Sequence, residues 1–171
     1  MKTILLNTFF VVFLLLSSVT MSAQTSISKP DQQKLIKQFI GNWKAVTGKD
    51  TLMMATYRAF GNGLDGNTII ETGADTQREG RQIFGYDPIT DTFIEAEMST
   101  TSDIELWACW FISDKIFIGV PFSDLANPSK AITKVEIIIQ SPDNFVQIIY
   151  QNNKIVGKKT MKRVSNTDSG E

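Results

Sequence analysis

The sequence predicts an all-β chain: an antiparallel, up-and-down β-barrel of about eight to ten strands, preceded by one short helix. Three observations carry that expectation. From Asn42 onward, turn residues fall at intervals of about 8 to 12 residues, the spacing of sandwiches and barrels. The segments between them alternate apolar and polar side chains, as in Val135, Ile137 and Ile139 against Lys134 and Glu136. Most connections are short enough for hairpins, which makes sequential strands antiparallel neighbours, and closing such a meander removes its two exposed edges.

The first residues read as an address. Lys2 gives a positive start, Ile4 to Leu16 is an apolar run interrupted by Asn7 and Thr8, and Ser17 to Ala23 is small and polar. That is the pattern of a signal peptide cleaved after Ala23, and it predicts a secreted or periplasmic protein. The run is short for a membrane span of about 20 residues, and no second stretch of that length follows. No Cys stands near Ala23 to carry a lipid anchor. The expected organisation is a signal peptide over 1–23, a disordered lead-in over 24–29, one barrel domain over 30–164 and a disordered tail over 165–171.

Composition narrows the chemistry. The chain has 171 residues with 17 basic and 18 acidic side chains, a balance that disfavours a nucleic-acid partner, which needs a concentrated positive face. The single Cys, Cys109, cannot form an intrachain disulfide and reads as a small buried hydrophobe within Leu106-Trp107-Ala108-Cys109-Trp110. There is no His at all. That removes His-containing catalytic triads, the common zinc sites and a His-ligated haem together, and neither a cofactor nor a metal is expected.

Taken in order, Pro30 and Asp31 open a helix of about 11 residues whose Leu35, Ile36, Phe39 and Ile40 form an apolar stripe. So short a helix must dock that stripe over one end of the barrel. Gly41 lets the backbone swing into the first strand, and Trp43 offers the largest apolar side chain for plugging that end. Strands are expected near Trp43 to Thr47, Thr51 to Phe60, Thr68 to Thr72, Arg78 to Tyr86, Thr92 to Met98, Ile104 to Phe111, Lys115 to Val120, Ala131 to Gln140, Phe145 to Tyr150 and Ile155 to Val164. Turn chemistry separates them, with Gly61 to Gly66 read as a flexible hairpin and Asn152-Asn153 as a tight turn. Pro121 to Lys130 is the longest irregular connection, either a gate at the mouth or a surface loop with Phe122 and Leu125 on the rim.

Two motifs resemble a known group. Gly41-Asn42-Trp43 is similar to the Gly-x-Trp signature of lipocalins, in which the Trp closes the barrel floor under a basic side chain of the last strand; Lys162 and Arg163 stand where that partner would be. The run Gly85-Tyr86-Asp87-Pro88, followed by Thr92-Phe93, resembles the central hairpin of bacterial lipocalin-like families, especially domain of unknown function family 1579. The resemblance implies a calycin-type barrel with Trp43 and Arg163 at its floor. It implies no mechanism, since that family has no agreed activity.

The site candidates follow from the alternation. Glu95 and Glu97 share a face with Phe93, and Glu105 shares one with Trp107 and Phe111. Pointing inward, these carboxylates would make an acidic, aromatic-lined cavity with raised pKa values. Pointing outward they would be solvent decoration, which the cost of burying an unpaired carboxylate favours. Arg58, Arg78, Arg81 and Lys158 lie on strands and are candidate partners for Glu71, Glu95 or Glu97. The leading expectation is a non-catalytic barrel binding a small apolar or amphipathic ligand among Phe84, Tyr86, Trp107, Trp110 and Tyr150, with Arg58, Arg81, Glu71, Glu95 or Glu97 fixing its polar end. One alternative is an enzyme using an interior carboxylate or Tyr for proton transfer. Another is a protein-interaction module whose barrel is filled by its own side chains.

Overall fold

The computed structural model describes residues 29–46, 51–72, 76–100 and 102–164; the expected signal peptide, its cleavage point and the tail lie outside them. A short helix α1 (Gln32–Leu35) runs into a 3₁₀ turn (Ile36–Phe39) and then ten strands: β1 (Gly41–Val46), β2 (Thr51–Phe60), β3 (Gly63–Thr72), β4 (Thr76–Asp87), β5 (Thr92–Ser99), β6 (Ser102–Ser113), β7 (Ile116–Pro121), β8 (Thr133–Ser141), β9 (Asn144–Gln151) and β10 (Lys154–Arg163). Each strand pairs antiparallel with its neighbours in sequence, and β1 pairs with β10, so the meander closes into a barrel. No described helix is long and apolar enough to cross a membrane.

The β2–β3 connection is tighter than its composition suggests. Only Gly61 and Asn62 form the turn, and β3 begins at Gly63 rather than near Thr68. Gly63 and Gly66, read as flexibility, are instead packing requirements. A Cβ on Gly63 would collide with the Phe84 carbonyl oxygen, and one on Gly66 would lie 2.5 Å from the Tyr57 ring. In the β9–β10 turn Asn152 and Asn153 both take positive φ, as a two-residue hairpin of mirror-image type demands.

Directly paired residues share a face, so the register says which side chains enter the lumen. One inner ring runs Trp43, Ala55, Thr68 across β1 to β3, and another runs Phe84, Glu95, Trp107 across β4 to β6. In β9 the lumen receives Phe145, Gln147 and Ile149, which pair with Ile139, Ile137 and Val135. Val146 and Ile148 face outward, and so does Tyr150, one of the expected ligand contacts. The sequence places bulky apolar residues on both faces of β9, and burial does not separate them: Val146 and Ile148 are nearly as buried outside as Phe145 is inside.

The core fills the end nearest α1. Ile36, Phe39, Phe93, Phe111, Phe117 and Phe145 meet there, with Phe39 stacked on Phe111 at 6.0 Å and edge-on to Phe117 and Phe145. The helix docks as a floor plug, and Asp31 caps it by accepting from the Lys34 amide at 3.0 Å. Its most informative residue is polar. Gln32, 3% exposed, donates through Nε2 to the Phe111 carbonyl at 3.0 Å and accepts the Phe111 N–H at 2.7 Å, pairing with a backbone beyond the last β5 partner of β6. Gln32→Ala would strand both groups. It is expected to lower stability by roughly 2–4 kcal/mol in denaturant titration, with a loss under about 1 kcal/mol counting against this role.

Trp43 seals the same end. Its Nε1 donates to the Phe39 carbonyl at 2.7 Å, its ring meets Phe145 edge-on at 4.6 Å, and the Arg163 guanidinium lies over it at 4.2 Å. Arg163 also donates to the Ile40, Gln38 and Pro142 carbonyls, tying the plug to β10 and the β8–β9 turn. Gly41 is at φ +133°, and a Cβ there would collide with the Arg163 guanidinium. Of the two basic candidates, Arg163 is the partner; Lys162 pairs with Lys44 on the outer face.

Candidate functional site

Above this floor the barrel is hollow. A cavity of about 330 Å³ opens in the lumen, lined toward the floor by Phe39, Phe84, Phe117 and Met161. The volume lies at the small end of ligand pockets, which span about 300–1,000 Å³. One wall, from β5 and β6, carries Glu95, Glu97, Glu105, Trp107 and Cys109. Four strands beyond β6, β10 carries Lys159, and between them β8 and β9 present Val135, Ile137 and Ile149. The cavity is therefore two-sided, with carboxylates on one wall and aliphatic side chains on another.

The outward orientation favoured for the carboxylates does not hold. Glu95 is 8% exposed, Glu97 is half-buried and Glu105 is exposed, a series that runs from core to solvent. Glu95 pairs across the sheet with Phe84 on one side and Trp107 on the other, and Glu97 with Gln82 and Glu105. Among the described residues neither Glu95 nor Glu97 forms an ion pair, and burial shifts both carboxyls toward their protonated forms. Burial first, then the neighbouring Glu97 charge, pushes the Glu95 carboxyl up to about 8. Bonds from the Cys109 thiol, 3.4 Å away, and from Gln82 act in the opposite sense. Glu97 is raised too, chiefly by burial, with Gln82 and Lys159 opposing. Burial raises the Cys109 thiol and the Tyr57 hydroxyl as well, and the Glu95 charge adds to both. Tyr57 donates to Gln82 Oε1 at 2.8 Å. Lys159 is held below its usual value by burial, and its Nζ rests 3.0 Å from Met53 Sδ.

Of the expected ligand contacts, Phe84, Glu95, Glu97 and Trp107 come together in this cavity. The others do not. Arg81 is exposed and pairs with Asp65 at 3.0 Å on the outer wall, and Arg58 is exposed opposite that same Asp65. Glu71 follows the inward Ile70 along β3 and so takes the outer face. Trp110 pairs with Ile118 outside the barrel, since Cys109 and Phe111 take the inward positions. Tyr150 lies outside under the Lys134 ammonium, 4.5 Å from its ring. Tyr86 points inward but below the cavity, where it packs on Phe93 and donates to Asp91 at 2.6 Å. Asp91 in turn meets Lys29 at 2.6 Å, within the expected lead-in. Lys158 and Arg78 do not pair with the carboxylates either: Lys158 faces out opposite Ile148, and Arg78, on the inner face opposite Ile70, is exposed and outside the cavity lining.

Sequence reasoning misses Tyr57, Gln82 and Lys159. The signal for Lys159 is nonetheless present: counting back by twos from Arg163 gives Met161, then Lys159. Gln82 follows from Phe84 in the same way. The Pro121 to Lys130 connection folds into two 3₁₀ turns, Phe122–Asp124 and Pro128–Lys130, and these do not line the cavity. Among the described residues no group of acidic side chains is close enough to hold a metal ion. Compared with protein-family models and with curated proteins, the chain matches none.

Proposed function

We propose that this is an exported, lipocalin-like barrel that binds one small amphipathic ligand in its lumen without transforming it. The observation that carries the reading is the two-sided cavity: a buried carboxylate on one wall and an aliphatic wall beside it, above a sealed aromatic floor. Such a lumen offers apolar area for a tail and a few convergent polar groups for a head, the usual composition of a ligand pocket. The likeness to the lipocalin-like families and the leader at residues 1–23 belong to the same reading, supported by the Trp43–Arg163 floor and by the run Ile4 to Leu16.

The test is titration with the uncharged fluorophore N-phenyl-1-naphthylamine. Saturable, one-to-one enhancement is expected, and Val135→Trp, which places an indole in the lumen, is expected to weaken it at least tenfold. Enhancement that is absent, or unchanged in the Val135→Trp protein, would sink the reading. A second reading keeps the cavity and has Glu95 move a proton on a bound substrate, favoured by its carboxyl titrating at about 8, close to working pH. It requires that turnover of some component of a cell extract stop in Glu95→Gln while Glu97→Gln retains part of it; extracts left unaltered by the native protein would dispose of it.

A further inference from the structure

We infer that the ligand's polar end is a protonated amine, seated on the Glu95 and Glu97 wall beside the Trp107 ring, with its apolar chain along Val135, Ile137 and Ile149. This rests on the ligand-binding reading above and adds the charge and placement of the head group.

The argument begins with an imbalance. Three carboxylates line the cavity and one ammonium, Lys159, stands across from them, yet among the described residues none of the three forms an ion pair. Lys159 reaches Met53 instead. Glu97 and Glu105 are directly opposed on β5 and β6, an arrangement that is unfavourable for like charges on adjacent strands. The acidic cluster does not stand alone. Glu95 is more than nine-tenths buried, aimed into the lumen, and touched only by a thiol and a neutral amide, so it is a desolvated acceptor without a cation. A second feature points the same way: its two cross-strand neighbours are the aromatic rings of Phe84 and Trp107, with Tyr57 nearby. Carboxylates beside aromatic rings make a surrounding in which an ammonium gains from ion pairing and, where it lies over a ring, from the ring quadrupole.

Competing occupants fit less well. A divalent ion needs several oxygens converging on one point, and these carboxylates do not converge. A fatty carboxylate would have only Lys159 to pair with and would meet the acidic side chains of Glu97 and Glu105 at the entrance. An ammonium on a short alkyl chain satisfies both walls, and the exposed-to-buried series Glu105, Glu97, Glu95 leads it inward.

The experiment compares n-octylamine, n-octanol and octanoate by calorimetry on the purified chain, beside the N-phenyl-1-naphthylamine titration. Octylamine is expected to bind at least tenfold more tightly than octanol, with octanoate weakest. Glu95→Gln should collapse the amine-to-alcohol ratio to within about threefold, and Lys159→Met, which removes the opposing cation, should raise it. The ratio should also climb between about pH 6 and pH 9 as Glu95 ionises in the presence of Glu97, Glu105, Cys109, Tyr57 and Lys159, the titratable groups that face it. Octanol or octanoate binding as tightly as the amine, or a ratio indifferent to both substitutions, overturns the inference while the fluorophore result leaves the cavity reading standing. Failure of the fluorophore and of all three octyl probes overturns both.

Discussion

Thermal stability is expected to fall as the pH rises from about 5 to about 9, and Glu95→Gln is expected to abolish most of that fall. In the unfolded chain the Glu95 carboxyl loses its proton near its ordinary value of 4.5, whereas in the folded barrel it keeps it until about 8. Between those limits the folded state binds more protons than the unfolded one, so each step upward in pH favours unfolding. The full penalty, reached above about pH 8, is on the order of 5 kcal/mol at about 1.36 kcal/mol per pH unit, and for a domain of this size that is a drop in Tm of roughly 15 °C. Glu97 shifts in the same direction and adds to it. Lys159 works in the opposite sense: its lowered value returns stability as the pH climbs toward its ordinary 10.5, which is why the series should stop near pH 9. On the acid side Asp87 and Asp91, both held below 3.8 by hydrogen bonds, lose their contribution only as the pH falls through that region. The maximum therefore belongs near about pH 5. Glu95→Gln keeps the shape and removes the titration, so it should match the native protein near pH 5 and exceed it by roughly 10 °C near pH 9. A flat native profile, or a Glu95→Gln profile with the native slope, would show that Glu95 ionises freely.

That carboxylate also shows where the sequence can be read and where it cannot. Turn chemistry, strand alternation and the Gly41-Asn42-Trp43 step suffice for a ten-strand closed meander with its helix at the Trp43 end. Inner and outer faces are harder, for a physical reason: this barrel buries apolar residues on both. Ala108 and Val120 are fully buried on the outside, and Trp110, Ile148 and Tyr150 continue that surface. Hydrophobicity thus marks β6 and β9 as strands without saying which residues enter the lumen. Parity does say it, once one residue per strand is anchored. Trp107 and Trp110 are three apart and cannot share a face, and neither can Lys158 and Arg163. From sequence, inward carboxylates are disfavoured by the cost of burying an unpaired charge. The structure meets that cost by holding the deepest one protonated against a thiol and an amide, an answer that needs the cross-strand neighbours of Glu95 and so is absent from the linear order.

Replacing Trp43 is expected to be the most damaging single change. Trp43→Ala removes a side chain that is 2% exposed and leaves a void beside Phe145, at a cost of about 3–5 kcal/mol for truncating a buried aromatic. It also removes the Nε1 donor to the Phe39 carbonyl and the ring beneath Arg163. Set against a total stability of about 5–15 kcal/mol, this brings the barrel close to unfolding at ambient temperature. Arg163 should amplify the loss, because it is fixed by the indole as well as by the Gln38, Ile40 and Pro142 carbonyls; without the ring, the clamp between plug, β10 and the β8–β9 turn slackens. A double-mutant cycle separates the two terms. Trp43→Leu and Arg163→Met each keep much of the apolar volume, and their coupling in guanidinium titration is expected at about 1 kcal/mol, the worth of a cation–π contact whose guanidinium is partly exposed. Coupling indistinguishable from zero would mean that the guanidinium serves the carbonyls and the Asp143 carboxylate and gains nothing from the ring. Fluorophore binding gives the complementary reading. The lumen sits directly above this floor, so a folded Trp43→Leu protein should bind N-phenyl-1-naphthylamine several-fold more weakly as Phe39 and Phe145 lose their shared support.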